Sequence, residues 1–418
     1  MKNFDLCVIG SGFAGTAAAV AAARCGAKVL LVDKSNAPGG AATNCLVNPF
    51  MRYWTTLDGA RFDLSRGIFG EICDELARRK AVTDERRDGF SEETLKSILY
   101  ELTEEAGVEL LYRAYLFKVE RRGEKIESVS VATVEGELVI KADYFIDATC
   151  DAQLAFLAGL KTNLGREPDH LCQPMTLNFR VASVDVERFM KSKEALNKRY
   201  AEHLANGKLI NPRENILVFK TPHKGVLHFN TTRVVKKDPT NAWEVTEAEI
   251  IARKQVYEVF DFMKEYADGM EDAYILMTAP EIGVRESRMI VGDYVLTVED
   301  CKGLKKFEDA IAACNYDIDI HNPEGTGTSH YYFKDGDYYT IPYRALIPKG
   351  VSNMLVAGRC ISSDHGAQAS YRIMPTVCTI GEAAGTAISI AAKYKTDTRS
   401  INVDELRETL RKNGAFIG

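Results

Sequence analysis

The chain has 418 residues, 46% of them hydrophobic and 27% charged, enough to bury a large core and to form two domains or a few lobes. Acidic side chains outnumber basic ones 59 to 53 for a formal charge of -6, and clusters such as Arg78-Arg79-Lys80 sit among acids, which argues against nucleic acid as a partner. The ten cysteines show no C-x-x-C spacing and the seven histidines no H-x-x-x-H or H-E-x-x-H spacing, so no metal or iron–sulfur site is expected.

Asp5 and Gly10 interrupt the first apolar stretch, so the opening does not read as a secretory signal, and the cytoplasm is the expected compartment. No apolar run approaches the ~18 residues that a membrane span needs.

In chain order, an apolar strand from Phe4 to Ile9, a glycine turn, an alanine-rich helix from Phe13 to Arg24 and an apolar strand from Lys28 to Val32 form a βαβ unit. Leucine and isoleucine at 95, 98, 99 and 102 predict a helix over 91–105, followed by a strand over 108–112. Three alternating segments between Leu116 and Ile140 predict an antiparallel meander, after which Tyr144 to Ala148 reads as a buried strand.

From about residue 161 the chain changes to amphipathic helices mixed with strands. One helix is expected to begin at a Thr246/Glu249 capping box, with strand-like stretches at 175–181, 225–234, 273–278 and 282–297. A hairpin is expected to turn at Asp335-Gly336, between Tyr331-Tyr332-Phe333 and Tyr338-Tyr339. After Pro342 the apolar strand Met354 to Ala357 and a small-residue helix over 375–393 return to the character of the first domain.

Gly10-Ser11-Gly12-Phe13-Ala14-Gly15 lies at the first strand-to-helix junction. Gly10 allows the tight turn, Gly12 lets the backbone approach a pyrophosphate, and Gly15 lets the helix pack on the strand, so that the free amides around Phe13 and Ala14 face an anion. Asp33, with Lys34 beside it, ends the second strand, where a carboxylate accepts a hydrogen bond from an adenosine ribose hydroxyl.

This pattern serves NAD and FAD alike, and three further segments favour FAD. In Pro38-Gly39-Gly40-Ala41-Ala42-Thr43 the paired glycines let the backbone lie against the pyrophosphate and ribityl chain. Phe145-Ile146-Asp147-Ala148-Thr149-Cys150-Asp151 resembles the "ATG-D" strand of flavoproteins, with Cys150 in the place of the usual glycine. Met354 to Ser362, containing Gly358 and Arg359, resembles the strand that meets the ribityl group, and the helix from Pro375 to Ala392 resembles the one whose N-terminus faces the flavin O2.

With these segments in this order, the chain resembles the bacterial FAD-dependent oxidoreductases related to the succinate dehydrogenase and fumarate reductase flavoproteins, within the glutathione-reductase-like superfamily. The resemblance covers residues 1–50, 140–160 and 340–393, and more loosely Ile282 to Asp300. It implies an α/β fold: a Rossmann-type FAD-binding domain of parallel sheet plus antiparallel meander, with an inserted α+β substrate domain. The expected division is 1–160 and 341–393 for the FAD domain, 161–340 for the substrate domain and 394–418 for a C-terminal segment.

FAD accepts a hydride at N5, and the protein must supply a proton donor or acceptor. The resemblance puts Asn44 and Cys45 near the flavin ring, with Cys45 expected to be a packed thiol. It offers His365, in Ser363-Asp364-His365-Gly366-Ala367, as an acid/base, while Ala369 stands where relatives carry a carboxylate-gripping arginine. Arg372 and Tyr371 join His365 as candidates to line the site.

Strand alternation puts Arg285 and Arg288 on opposite faces, one for an anionic or hydroxylated substrate and the other paired with Glu286. Tyr343-Arg344 precedes the last flavin strand and is expected to be structural, with bracing of the substrate side as the alternative. Ala41 occupies the position at which relatives carry a flavin-linked histidine, which rules out covalent attachment there.

The leading expectation is a two-electron oxidoreductase acting on an alcohol, amine or activated alkene, with a separate electron acceptor or donor. The alternatives are a fumarate-reductase-like reductase of C=C bonds, an electron-relay flavin subunit that needs a partner, and an NAD-only dehydrogenase. Lobes of this size often pair, so a homo-oligomer is compatible with the sequence.

Overall fold

The computed structural model describes residues 3–84, 88–167 and 169–418. Its centre is a five-stranded, wholly parallel sheet in the order Met354–Val356, Ala142–Asp147, Phe4–Ile9, Val29–Val32, Glu109–Leu111. The middle strands are buried almost throughout, as continuous apolar runs in a sheet covered on both faces should be.

The helix Phe13–Arg24 lies against this sheet and against the long helix Met374–Tyr394. Small residues allow their closeness. A Cβ on Gly381 would lie 2.0 Å from the carbonyl oxygen of Ala14, and one on Gly385 would lie 2.0 Å from that of Ala18. The alanine-rich and glycine-spaced stretches in the sequence are therefore one helix–helix contact. The meander is present as Tyr115–Arg122, Lys125–Thr133 and Gly136–Ile140.

A second layer is an antiparallel sheet ordered Val218–Lys220, Leu227–Phe229, Phe179–Ala182, Tyr274–Thr278, whose core includes residues of the helices Val186–Ala205 and Ala242–Tyr266. Its hydrophobic cluster takes in Leu46 and residues between Met175 and Ile282, whereas Ile290, Leu296, Ala310 to Cys314 and Ile341 belong to the cluster of the parallel sheet. Leu406 and Leu410, on the helix Val403–Lys412, join that first cluster too.

Four local expectations are corrected. The helix expected at Thr246 starts earlier, because Asn241 accepts from the amides of Trp243 and Glu244 and caps it, leaving Thr246 one turn inside. Within 282–297 only Arg288–Ile290 is a strand. No hairpin turns at Asp335-Gly336: Thr328–Tyr331 pairs back onto Ile318–His321, and Tyr339–Pro342 pairs with Ala310–Cys314. Arg288 does not pair with Glu286 but stacks over Phe156, 4.1 Å from the ring centroid.

No single helix among the described residues is long and apolar enough to cross a membrane. The helices His365–Tyr371 and Met374–Tyr394 pass that test only as a pair bent by 96°, and most of their residues are buried in the core.

Candidate active site

The carboxyl ends of the parallel strands open into a cavity of about 920 Å³ that runs to the antiparallel sheet. One end is built from glycine. The helix Phe13–Arg24 begins at Gly12 with no side-chain cap, so its first amides are left for a ligand. The loop at Gly39 lies along it: the Gly39 amide donates to the Ser11 carbonyl at 2.8 Å, and a Cβ on Gly40, which has φ +51°, would be 2.8 Å from the Cα of Gly12. A Cβ on Gly15 would fall 1.7 Å from the carbonyl oxygen of Gly10, the close packing its place in the motif predicts.

Asp33 ties this end together. Its Oδ2 accepts from the Ser11 amide and, at 2.8 Å, from the Ser11 hydroxyl, while its Oδ1 takes the Ser35 amide and hydroxyl, each at 2.7 Å. Lys34 reaches Glu281 at 3.6 Å.

Of the residues expected to hold the cofactor, Gly10, Gly12, Phe13, Ala14, Asp33, Lys34, Gly39, Gly40, Ala41, Ala148, Thr149, Asp151 and Arg359 line the cavity. Gly15, Thr43, Gly358 and Pro375 stand behind that wall. Thr43 fixes the glycine loop by donating to the Pro38 carbonyl at 2.8 Å, and Pro375 begins the helix Met374–Tyr394, whose first turn has no side-chain cap and whose Met374 and Val377 face the cavity.

Cys150, in the place of the usual glycine, keeps the left-handed backbone of that position with φ +66°. Next to it Asp151 receives Arg359 at 2.8 Å and the Ser287 hydroxyl at 2.6 Å, joining three distant segments. Cys45 lines the cavity; burial, helped by Glu281, pushes its thiol up to about 12, so it is protonated and packed.

The other end is polar. Strands Ile318–His321 and Thr328–Tyr331 form a two-stranded ribbon in which Asp319 faces His330 and His321 faces Thr328, and all four line the cavity. Arg213, Arg285, Arg372, Tyr316, Thr176, Asn178 and Asn230 complete this wall.

Among the described residues Arg285 bonds only to neutral groups: the Pro174 carbonyl and Thr176 hydroxyl, each at 2.6 Å, and the Asn230 side chain at 3.4 Å. Burial and the neighbouring charges of Arg372, Arg213 and Arg233 lower its pKa well below the ordinary arginine value. Burial opposes ionisation of Asp319, but the hydrogen bond from His321 and the charge of Arg372 outweigh it and hold the carboxyl far below its usual range.

His321 is kept neutral, with a pKa of about 3, by burial and by Arg285, against the pull of Asp319. Its tautomer follows from its partners. Arg233 can only donate, and it reaches Nδ1 at 3.1 Å, so the ring proton sits on Nε2 and points to Asp319 at 3.3 Å.

The catalytic candidates from the sequence divide. Arg285 and Arg372 come together in the cavity wall, but His365 does not reach it: it starts the short helix His365–Tyr371, and its Nδ1 is bound to the buried Glu286 at 2.7 Å. Glu286, which also receives the Gln173 amide at 2.8 Å, thus serves His365 and not an arginine. Tyr371 is fully buried, with its hydroxyl 2.8 Å from Ser363. Arg344 pairs with Asp309 away from the cavity.

Arg213, Tyr316, Asp319, His321 and His330 were missed. One signal for two of them was available: Asp317-Ile318-Asp319-Ile320-His321 alternates with period two, which puts Asp319 and His321 on one strand face.

The glycine end fits a dinucleotide on two observations. The uncapped amides at Gly12 meet an anion's need, and a Cβ on Gly12 would find nothing nearer than the Gly40 Cα at 3.9 Å, so the backbone is open to close approach.

Among solved structures, the chain is similar to a geranylgeranyl bacteriochlorophyll reductase-like protein from Thermoplasma acidophilum (TM-score 0.49, 12% identity, covering 99% of this chain and 85% of that one). It is also similar to p-nitrophenol 4-monooxygenase from Pseudomonas putida DLL-E4 (TM-score 0.48, 11% identity, 99% and 85%) and to a myxobacterial chondrochloren halogenase (TM-score 0.45, 15% identity, 99% and 79%). No curated protein sequence matches. The family model described as FAD dependent oxidoreductase matches residues 5–410, and with nearly the whole chain inside that match, the protein belongs to this family of FAD enzymes.

Proposed function

We propose that the protein moves a hydride between a small-molecule substrate, an alcohol, an amine or an activated alkene, and N5 of FAD. Bound FAD supplies the two-electron centre. The chain's own residues do the rest. Gly12, Gly39 and Gly40 give the backbone surface for the pyrophosphate, and the uncapped start of the helix at Met374 favours negative charge on the reduced ring.

Substrate enters at the polar end, where Asp319 leaves Oδ1 without a hydrogen-bond partner among the described residues and so accepts an O–H or N–H. His330, with Nδ1 at 3.7 Å from that oxygen, carries the proton that leaves the hydroxyl or amine as its C–H hydride departs. A separate electron acceptor or donor completes the cycle.

The observation that carries this reading is the single cavity, with a glycine cradle at one end and polar, titratable groups at the other. Reduction of an activated C=C bond is the second reading, favoured by Arg285 and Arg372 in the same wall. Anaerobic mixing of the purified flavoprotein with a panel of alcohols, sugars, amines and hydroxy acids should bleach the flavin with at least one. If none bleaches it, and enoates do not reoxidise the dye-reduced enzyme, both readings fail and an electron-relay role takes their place.

A further inference from the structure

We propose that the polar end of the cavity is a carboxylate site and that the substrate is a hydroxy carboxylate. The inference rests on the reading that substrate occupies this end. Arg213, Arg285 and Arg372 line it, and Arg233 is buried directly behind, with its guanidinium on Glu214 at 3.0 Å and on His321. Against these four cations stand two carboxylates, Asp319 and Glu214.

The match is poor as well as short. Arg372 comes no nearer to Asp319 than 3.9 Å, Arg213 no nearer to Glu214 than 3.8 Å, and Arg285 has no carboxylate partner among the described residues. The Nε atoms of Arg213 and Arg372 are buried without hydrogen-bond partners among the described residues. Unmatched guanidinium charge in a buried wall is costly, and it persists where a ligand supplies the missing anion. A planar carboxylate suits the guanidinium fork.

The cofactor's phosphates have their own partners in the backbone of Gly12, Gly39 and Gly40, on segments other than those that carry these arginines. The free Oδ1 of Asp319 in the same wall asks for a donor beside the carboxylate. A hydroxyl provides it without adding positive charge to a site already rich in it, which selects a hydroxy acid over an amino acid.

The test titrates the FAD-loaded protein anaerobically with lactate, malate and mandelate, and with lactamide, malamide and mandelamide, following the flavin difference spectrum and the heat of binding. At least one acid should bind about tenfold or more tightly than its amide, the size expected of a charge-assisted contact. Arg372→Met should erase that preference by weakening the acid at least tenfold more than its amide, and Arg285→Lys gives a second reading should Arg372→Met not fold. Equal affinity of acids and amides, or an unchanged preference in both variants, overturns the carboxylate site, even if a neutral alcohol still bleaches the flavin. Tight acid binding with no bleaching by any compound upholds the site and instead counts against hydride transfer.

Discussion

The two ends of the cavity are built in opposite ways. The cradle comes from contiguous runs, residues 10–15, 39–43, 148–151 and 358–359, and its chemistry is that of the backbone: amides, close approach and positive φ. The polar end gathers single side chains from Thr176, Arg213, Asn230, Arg285, Asp319, His321 and Arg372, and its chemistry is charge. A backbone site needs particular residues at fixed local spacing. A side-chain site needs only that the fold bring them together.

The sharpest way to break this contrast is Gly12→Val. Its branched side chain would occupy the open space over the uncapped helix start, so the expected outcome is folded protein, judged by circular dichroism, with flavin content reduced to nearly nothing. Arg285→Lys probes the other end. It keeps a charge but loses the fork that holds Pro174 and Thr176, and turnover should fall about 10²- to 10³-fold, with flavin content unchanged.

Two further changes act in the nucleotide half. Glu382 accepts the Ile68 amide at 3.1 Å beneath the Met374–Tyr394 helix, and burial pushes its carboxyl up to about 7 against the Ile68 hydrogen bond, with Glu71 adding to the rise and Arg24 opposing it. The folded value lies above the ordinary 4.5, so the native state holds more protons in between. Stability should fall as pH rises through that interval. Glu382→Gln keeps the acceptor and removes the titration. It should melt later than wild type at about pH 8, by the equivalent of ~2 kcal/mol, with the difference vanishing at about pH 4.5.

The smallest effect is expected of Cys150→Gly. Because position 150 has φ +66°, removing the side chain should raise stability in a denaturant titration by about 1 kcal/mol without loss of flavin.

The same contrast explains what could be read from the sequence. The βαβ start, the glycine loop, the meander and the closing helix all follow from local period and spacing, and the helix Phe13–Arg24 has the bounds the sequence suggests. Arg285 is singled out by its place in the segment Ile282 to Asp300, and Arg372 by its place just before the flavin-facing helix. His365 misled because its neighbours resemble a flavoprotein motif, yet the partner that fixes it, Glu286, is 79 residues away. Arg213 and His330 had no local signal, since only the pairing of the ribbon and the packing of a loop bring them to the cavity.

The most direct measurement is the amount of FAD released by heat from purified wild type, Gly12→Val and Arg285→Lys. One FAD per chain in wild type and in Arg285→Lys, with almost none in Gly12→Val, is the predicted result. Colourless wild type that fails to take up added FAD, or full flavin content in Gly12→Val, would contradict the placement of the cofactor on the glycine cradle.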